Sequence, residues 1–198
     1  MNIIAVWWKS EKYSIDYPKV LAHSLKEQDL DLVVLTNSQE DLDCRAEYLR
    51  RAERFKGWWA VAELFSPEFT HLRPCLYLDL DTYVLGDLGP LLNLDPARFW
   101  CLSDFNRPQV AEAGHMVIPK RTEAIWHACR RSDHRIPGAV IGPFAQARIQ
   151  DAVPGILSYK RHKLQDQKPD CLTVSFHGKP KPHETTGWAK EYWDARLT

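Results

Sequence analysis

Short apolar runs alternate along this chain with segments whose apolar residues recur every three or four positions, and the two patterns read as strands and helices. Ile3 to Trp7 reads as a buried first strand. Asp16 stands where a helix cap is expected, with Pro18 in the first turn and Val20, Leu21 and Leu25 following at helical spacing. Leu32-Val33-Val34-Leu35-Thr36 makes a second strand and Cys75 to Leu80 a third. Between them, Trp58, Val61, Ala62 and Phe65 have helical spacing, and the segment stops before Pro67. Phe99 to Ser103 and Met116 to Ile118 are further strands, and Thr122 caps a helix through Ile125, Trp126 and Cys129. Weaker strands follow at Ile156 to Tyr159 and Leu172 to Phe176. Trp188 and Trp193 share a C-terminal helix that either packs against the sheet or meets a membrane or partner. This alternation predicts an α/β sandwich around a mostly parallel sheet. The prolines and glycines from Pro137 to Pro154 predict an irregular segment over the sheet ends, a candidate lid.

Composition narrows the classes. With 198 residues and 44% hydrophobic content, the chain is long enough for one sizeable core and too short for two full domains, so one domain over 1–198 is expected. Lysine plus arginine balance aspartate plus glutamate at 26 each, which argues against nucleic acid or an anionic membrane as partner, a local basic patch apart. The five cysteines are odd in number, far apart and without a CxxC pair, which speaks against a disulfide framework and a zinc site. The first nine residues fall short of a signal h-region, and no apolar run approaches membrane-spanning length. A cytoplasmic protein without a transmembrane segment is expected.

The candidate chemistry sits at the end of the third strand. Period-two geometry places Asp79 and Asp81 on one side with Leu80 opposite, and ligands of open α/β sheets bind outside the carboxyl ends of strands. Carboxylate oxygens are hard donors suited to Mg²⁺ or Mn²⁺, which keep positions open for substrate phosphates. The alternative is a pair of acids that simply ends a strand at the surface. A second polar cluster, Ser175-Phe176-His177-Gly178-Lys179-Pro180-Lys181-Pro182, follows the last apolar run. There His177 can complete the coordination of a divalent ion, Gly178 can admit a phosphate, and Lys179 or Lys181 can offset its charge.

These residues carry a family resemblance. Phe55-Lys56-Gly57-Trp58-Trp59 through Phe65, then Leu76-Tyr77-Leu78-Asp79-Leu80-Asp81-Thr82, Gly86-Asp87-Leu88, Gly155-Ile156-Leu157-Ser158-Tyr159-Lys160 and Phe176-His177-Gly178-Lys179-Pro180-Lys181-Pro182 together resemble the DxD glycosyltransferases of the GT-A fold. The likeness is to glycosyltransferase family 8 and its small bacterial and phage relatives. It implies a single GT-A domain with a mixed, mostly parallel sheet flanked by helices, and transfer from a nucleotide-sugar donor, UDP-linked, with retention at the anomeric carbon. By motif it assigns Asp79, Asp81 and His177 to Mn²⁺ (or Mg²⁺), and Lys179 or Lys181 to the diphosphate. Trp8-Lys9 and Thr36-Asn37 fall where such enzymes bind base and ribose, although Trp8 also reads as a core tryptophan. Asp104 is a candidate to face the oxocarbenium-like centre, or else caps its loop.

Three positions depart from the family pattern. Val61 replaces a basic residue, Glu112 replaces an Asn, and Ile141 to Gln146 lacks the carboxylate expected before the Ser-Tyr-Lys element. Gln146 can still offer an oxygen to the sugar, or Gln150-Asp151 can replace it. The same residues admit two other functions: a haloacid-dehalogenase-type phosphatase, disfavoured by Tyr83, and a nucleotide-sugar-binding protein that has lost turnover. The acceptor, whether glycan, lipid-linked or protein, has no signature in the sequence.

Overall fold

In the computed structural model, which describes residues 1–10, 13–49 and 55–197, the apolar runs become strands buried on both faces. The first five are β1 (Asn2–Trp7), β2 (Leu32–Thr36), β3 (Arg45–Tyr48), β4 (Cys75–Leu78) and β5 (Thr82–Val84). The rest are β6 (Trp100–Ser103), β7 (Ala111–Ile118), β8 (Ala147–Arg148), β9 (Ile156–Ser158) and β10 (Thr173–Ser175). The main sheet has the order β3-β2-β1-β4-β7-β6-β8, and only β7 runs against the others. The helices are α1 (Asp16–Lys26), α2 (Gly89–Leu92), α3 (Glu123–Arg131), α4 (Pro137–Ile141), α5 (Ile149–Ala152) and α6 (Trp188–Asp194).

Alternation along each strand splits the core in two. Ile3, Ala5, Trp7, Leu32, Val34, Leu76 and Leu78 pack with α1, α6 and a small second sheet. Ile4, Val6, Val33, Leu35, Cys75 and Tyr77 pack with α3, α4 and the 3₁₀ segments Gly57–Phe65 and Pro67–Leu72. Apolar cover on both faces is why the strands read as unbroken hydrophobic runs rather than alternating ones.

Several expectations are corrected. Asp16 is the first helical residue and not the cap; Ile15 precedes it without a side-chain capping bond, and Asp16 accepts from Ser14 Oγ at 3.0 Å. Gly57–Phe65 is a 3₁₀ spiral rather than an α-helix, ending at the extended Ser66 before Pro67. The third strand stops at Leu78, so Asp79 to Asp81 form the turn beyond it. The C-terminal helix α6 belongs to the core: Trp193 meets Tyr17 edge-on at 4.9 Å, and Tyr192 lies 4.2 Å from Tyr83. Among the described residues no helix is long and apolar enough to cross a membrane. All five cysteines are free.

Two features position the cleft residues. In the small sheet, β5 pairs antiparallel with β10, and β10 pairs parallel with β9. Ser175 lies opposite Thr82, and Phe176 N–H donates to the Asp81 carbonyl at 2.9 Å, so the His177 segment emerges beside the acid pair. In the main sheet, Cys101 faces Met116 but Leu102 already faces Glu112; β7 bulges between them. Such a bulge re-aims the side chains that follow it.

Candidate active site

A cleft of about 420 Å³ opens at the carboxyl end of the sheet, with Trp8, Tyr13, Asp79, Asp81, Glu112, His177 and Lys181 among its walls. Strand order sets their sequence along it. Trp8 follows β1, the acid pair follows the adjacent β4, and Glu112 sits on β7, one strand further.

At the centre, Lys181 Nζ forms an ion pair with Asp81 Oδ2, and both side chains are less than a tenth exposed. The same ammonium donates to Tyr13 Oη at 3.1 Å and to the Phe176 carbonyl at 3.2 Å, and Tyr13 donates to Asp81 at 3.3 Å. Burial and the two carboxylates hold the Tyr13 hydroxyl neutral, its pKa pushed well above the usual phenol. Asp79 Oδ1 accepts from Leu80 N–H at 3.0 Å and from the Tyr77 hydroxyl at 3.2 Å. Burial first, and then the charge of Asp81, push its carboxyl up to about 7, against the pull of Lys181. Two carboxylates thus share one ammonium, and Asp79 is the one left undercompensated.

The remaining expected residues separate into those the cleft admits and those it does not. Of the two lysines, Lys181 lines the cleft, whereas Lys179 is exposed and pairs with Glu184 at 3.5 Å. Trp8 forms part of the wall and also packs on the core behind it. Lys9 is exposed and pairs with Glu40 at 3.1 Å, while its backbone N–H donates to Asn37 Oδ1 at 2.8 Å. Thr36 is buried, its hydroxyl accepting from Ser38 N–H. Asn37 thus ties the end of β1 to the end of β2, where Thr36 lies opposite Trp7, and Lys9, Thr36 and Asn37 are not among the residues that line the cleft.

The two residues expected to be catalytic hold loops instead. Asp104 caps its own turn, accepting from Asn106 N–H at 2.8 Å and Arg107 N–H at 2.9 Å and pairing with the Arg107 guanidinium at 3.0 Å. Gln146 is exposed and bonds Phe99 in both directions, Oε1 accepting from its N–H at 2.9 Å. Gln150 does the same for Ser103. Each amide side chain replaces a backbone ladder partner at the β6 edge, which is why neither points into the cleft.

Tyr13 and Glu112 also line the cleft, and of the two only Glu112 stands out in the sequence, as the residue that replaces an Asn of the family pattern. Tyr13 lies in a polar loop whose sequence carries no signal, and Tyr77 shares the strand parity of Asp79, a signal present but weak.

Asp79 and Asp81 are hard oxygen donors on one wall of the cleft, the donor type that suits a divalent cation shared with phosphate. A three-residue set is not assembled. Among the described residues no three His, Cys, Asp or Glu side chains gather as a ligand group. The His177 ring instead stacks on Phe105, 5.5 Å between centroids and 10° between planes, with Ser158 Oγ 3.4 Å away. Burial lowers its pKa, leaving a neutral imidazole at the cleft wall. Gly178 follows with a φ of 75°, a left-handed turn that suits glycine.

No protein-family profile matches the chain, and no curated protein matches it by sequence. Solved structures do match by shape. An active-site mutant of LgtC superposes with a TM-score of 0.69 at 14% identity, covering 100% of this chain and 95% of that one. The galactosyltransferase LgtC in complex with donor and acceptor sugar analogues matches at 0.65 and 13% identity, with the same coverage. The glycosyltransferase GlyE of Streptococcus pneumoniae matches at 0.67 and 15% identity; this chain, matched over 100% of its length, spans 61% of GlyE. The fold is that of the GT-A glycosyltransferases.

Proposed function

We propose that this protein is a glycosyltransferase that moves a sugar from a nucleotide-sugar donor, UDP-linked, to an acceptor hydroxyl. The observation that carries this reading is the Asp79, Asp81 and Lys181 cluster at the centre of the cleft, in a GT-A fold. Trp8 stacks on the base, with Lys9 and Asn37 at the ribose end and the buried Thr36 supporting them from behind. Asp79 and Asp81 would hold Mn²⁺ or Mg²⁺, with His177, also in the cleft wall, as the third donor that the resemblance implies. When bound, the ion acts as a Lewis acid on the diphosphate.

The chain's own residues supply the rest. Lys181, already beside the acids, offsets charge on the leaving oxygens, and preorganised charge of this kind is worth more in a water-poor cleft. Tyr13 and Tyr77 orient the lysine and Asp79 through their hydroxyls. The resemblance further implies retention at the anomeric carbon. Exposed Trp58 and Ile136 at the cleft wall offer an apolar surface to the acceptor, which is a glycan, a lipid-linked sugar or a protein. Free cysteines agree with a reducing compartment, the cytoplasm.

A second reading has its own observation. Asp104 and Gln146 are engaged in loops, and a donor-binding protein without turnover tolerates that. Incubation with UDP-sugars and Mn²⁺, following UDP release, separates the two. Release that Asp79→Asn abolishes supports the transferase; tight donor binding without release supports the binder.

A further inference from the structure

Glu112 is the one carboxylate in the cleft wall whose side chain makes no hydrogen bond or ion pair among the described residues. It is neither a cap nor a strut, unlike Asp104, Gln146 and Gln150. Its place follows from the sheet. Asp79 N–H donates to the Gly114 carbonyl at 2.9 Å, so Glu112 lies two residues further along the strand next to the acid pair. The β7 bulge turns this stretch, and neighbouring strands stand about 4.8 Å apart. A donor laid along the edge with its base at Trp8 and its diphosphate at Asp79, Asp81 and Lys181 brings its sugar to Glu112.

We propose that Glu112 is a catalytic carboxylate that faces the anomeric carbon on the side away from the diphosphate and stabilises the positive charge that develops there. The proposal rests on the glycosyl-transfer reading. In the step, the bond from C1 to the diphosphate oxygen breaks and its electron pair leaves with the nucleoside diphosphate. The acceptor oxygen bonds to C1 from the leaving-group side, and its proton passes to the released diphosphate. Glu112 remains an unbonded carboxylate throughout.

The charged groups around Glu112 are Asp104 and Arg107 from the loop after β6 and Asp81 from the turn after β4; the cleft-lining stretch Ile136 to Gly138 that leads into α4 offers none. Burial, then the charges of Asp104 and Asp81, push the Glu112 carboxyl up to about 7, with Arg107 acting the other way.

The test uses UDP-glucose, UDP-galactose and their N-acetyl analogues with Mn²⁺ and with water as the acceptor hydroxyl, measuring donor binding by calorimetry and hydrolytic UDP release separately. Glu112→Gln keeps donor affinity and slows UDP release by about 100-fold or more, the scale of losing one electrostatic stabiliser. Glu112→Ala with sodium azide recovers UDP release and yields a glycosyl azide, because the azide occupies the vacated face and forms the bond from C1 to nitrogen. A merely structural glutamate gives no such adduct. UDP release by Glu112→Gln within twofold of the native rate, or Glu112→Ala without an azide product, overturns the proposal. Donor binding without release by the native protein also overturns it and leaves the binder reading standing. Failure of the native protein to bind any of these donors overturns the glycosyl-transfer reading itself.

Discussion

Replacing Lys181 by methionine removes the one ammonium that faces both acids while keeping the length and apolar body of the side chain. In the native protein the Lys181 side chain is 9% exposed and that of Asp81 is 7%, so the pair is screened little by water. Breaking a buried pair by removing one partner costs about 3–5 kcal/mol, because the remaining charge stays buried and uncompensated. For a chain of this size 1 kcal/mol moves the melting temperature by about 2–4 °C, so a fall of roughly 6–20 °C is expected at pH 8. The loss shrinks toward pH 5. Without the ammonium, the aspartate pair holds a proton more tightly in the folded than in the unfolded chain, so folding takes up protons and stability falls as pH rises. Removing both charges in Asp81→Asn/Lys181→Met recovers at least half of the loss, since no unpaired ion is left. The assay is thermal unfolding by circular dichroism at pH 5, 6.5 and 8 without ligand. A single variant that melts within about 2 °C of the native protein at pH 8 refutes the reasoning, since that is less than 1 kcal/mol.

Asp79→Asn is expected to melt no lower than the native protein at pH 8, because an amide oxygen still accepts from Leu80 N–H and the Tyr77 hydroxyl and a buried negative charge is gone. In calorimetry the same variant loses the Mn²⁺-dependent part of donor binding. Glu63 is buried in the 3₁₀ segment Gly57–Phe65, and desolvation raises its carboxyl to about 7. A raised carboxylate stabilises the fold below its ordinary pKa and loses that contribution as pH rises through about 7. Glu63→Gln therefore raises the melting temperature at pH 8 relative to the native protein and leaves it unchanged near pH 4; an equal shift at both values contradicts the assignment.

The parts of the fold legible in the sequence are those where burial on two faces leaves an unbroken apolar run. Leu32 to Thr36 is β2 to the residue, and Thr122 precedes α3 as read, its hydroxyl donating to the Phe65 carbonyl rather than to its own helix. Edge strand β3, Arg-Ala-Glu-Tyr, has no apolar run at all and exists by pairing with β2. Asp79 and Asp81 were legible as a site because they end a buried strand. What the sequence does not carry is how each acid is compensated. Asp81, expected at the end of a strand, is 5% exposed because the small sheet brings Lys181 onto it across 100 residues. Asp104 and Gln146 had the right chemistry near the right strands, but backbone groups at the β6 edge and its following loop claim their oxygens. His177 arrives at the cleft as expected, yet its ring lies against Phe105, a contact between residues far apart in the chain.

The central claim is that the cleft is a metal-assisted nucleotide-sugar site. It is tested most directly by thermal unfolding across a panel of nucleotides and nucleotide sugars, each with and without Mn²⁺. A ligand at about a hundredfold its dissociation constant adds roughly 2.7 kcal/mol of stability, well above the noise of such a scan. The account predicts a Mn²⁺-dependent rise with UDP-sugars that Asp79→Asn abolishes. No rise with any nucleotide, with or without the metal, contradicts it.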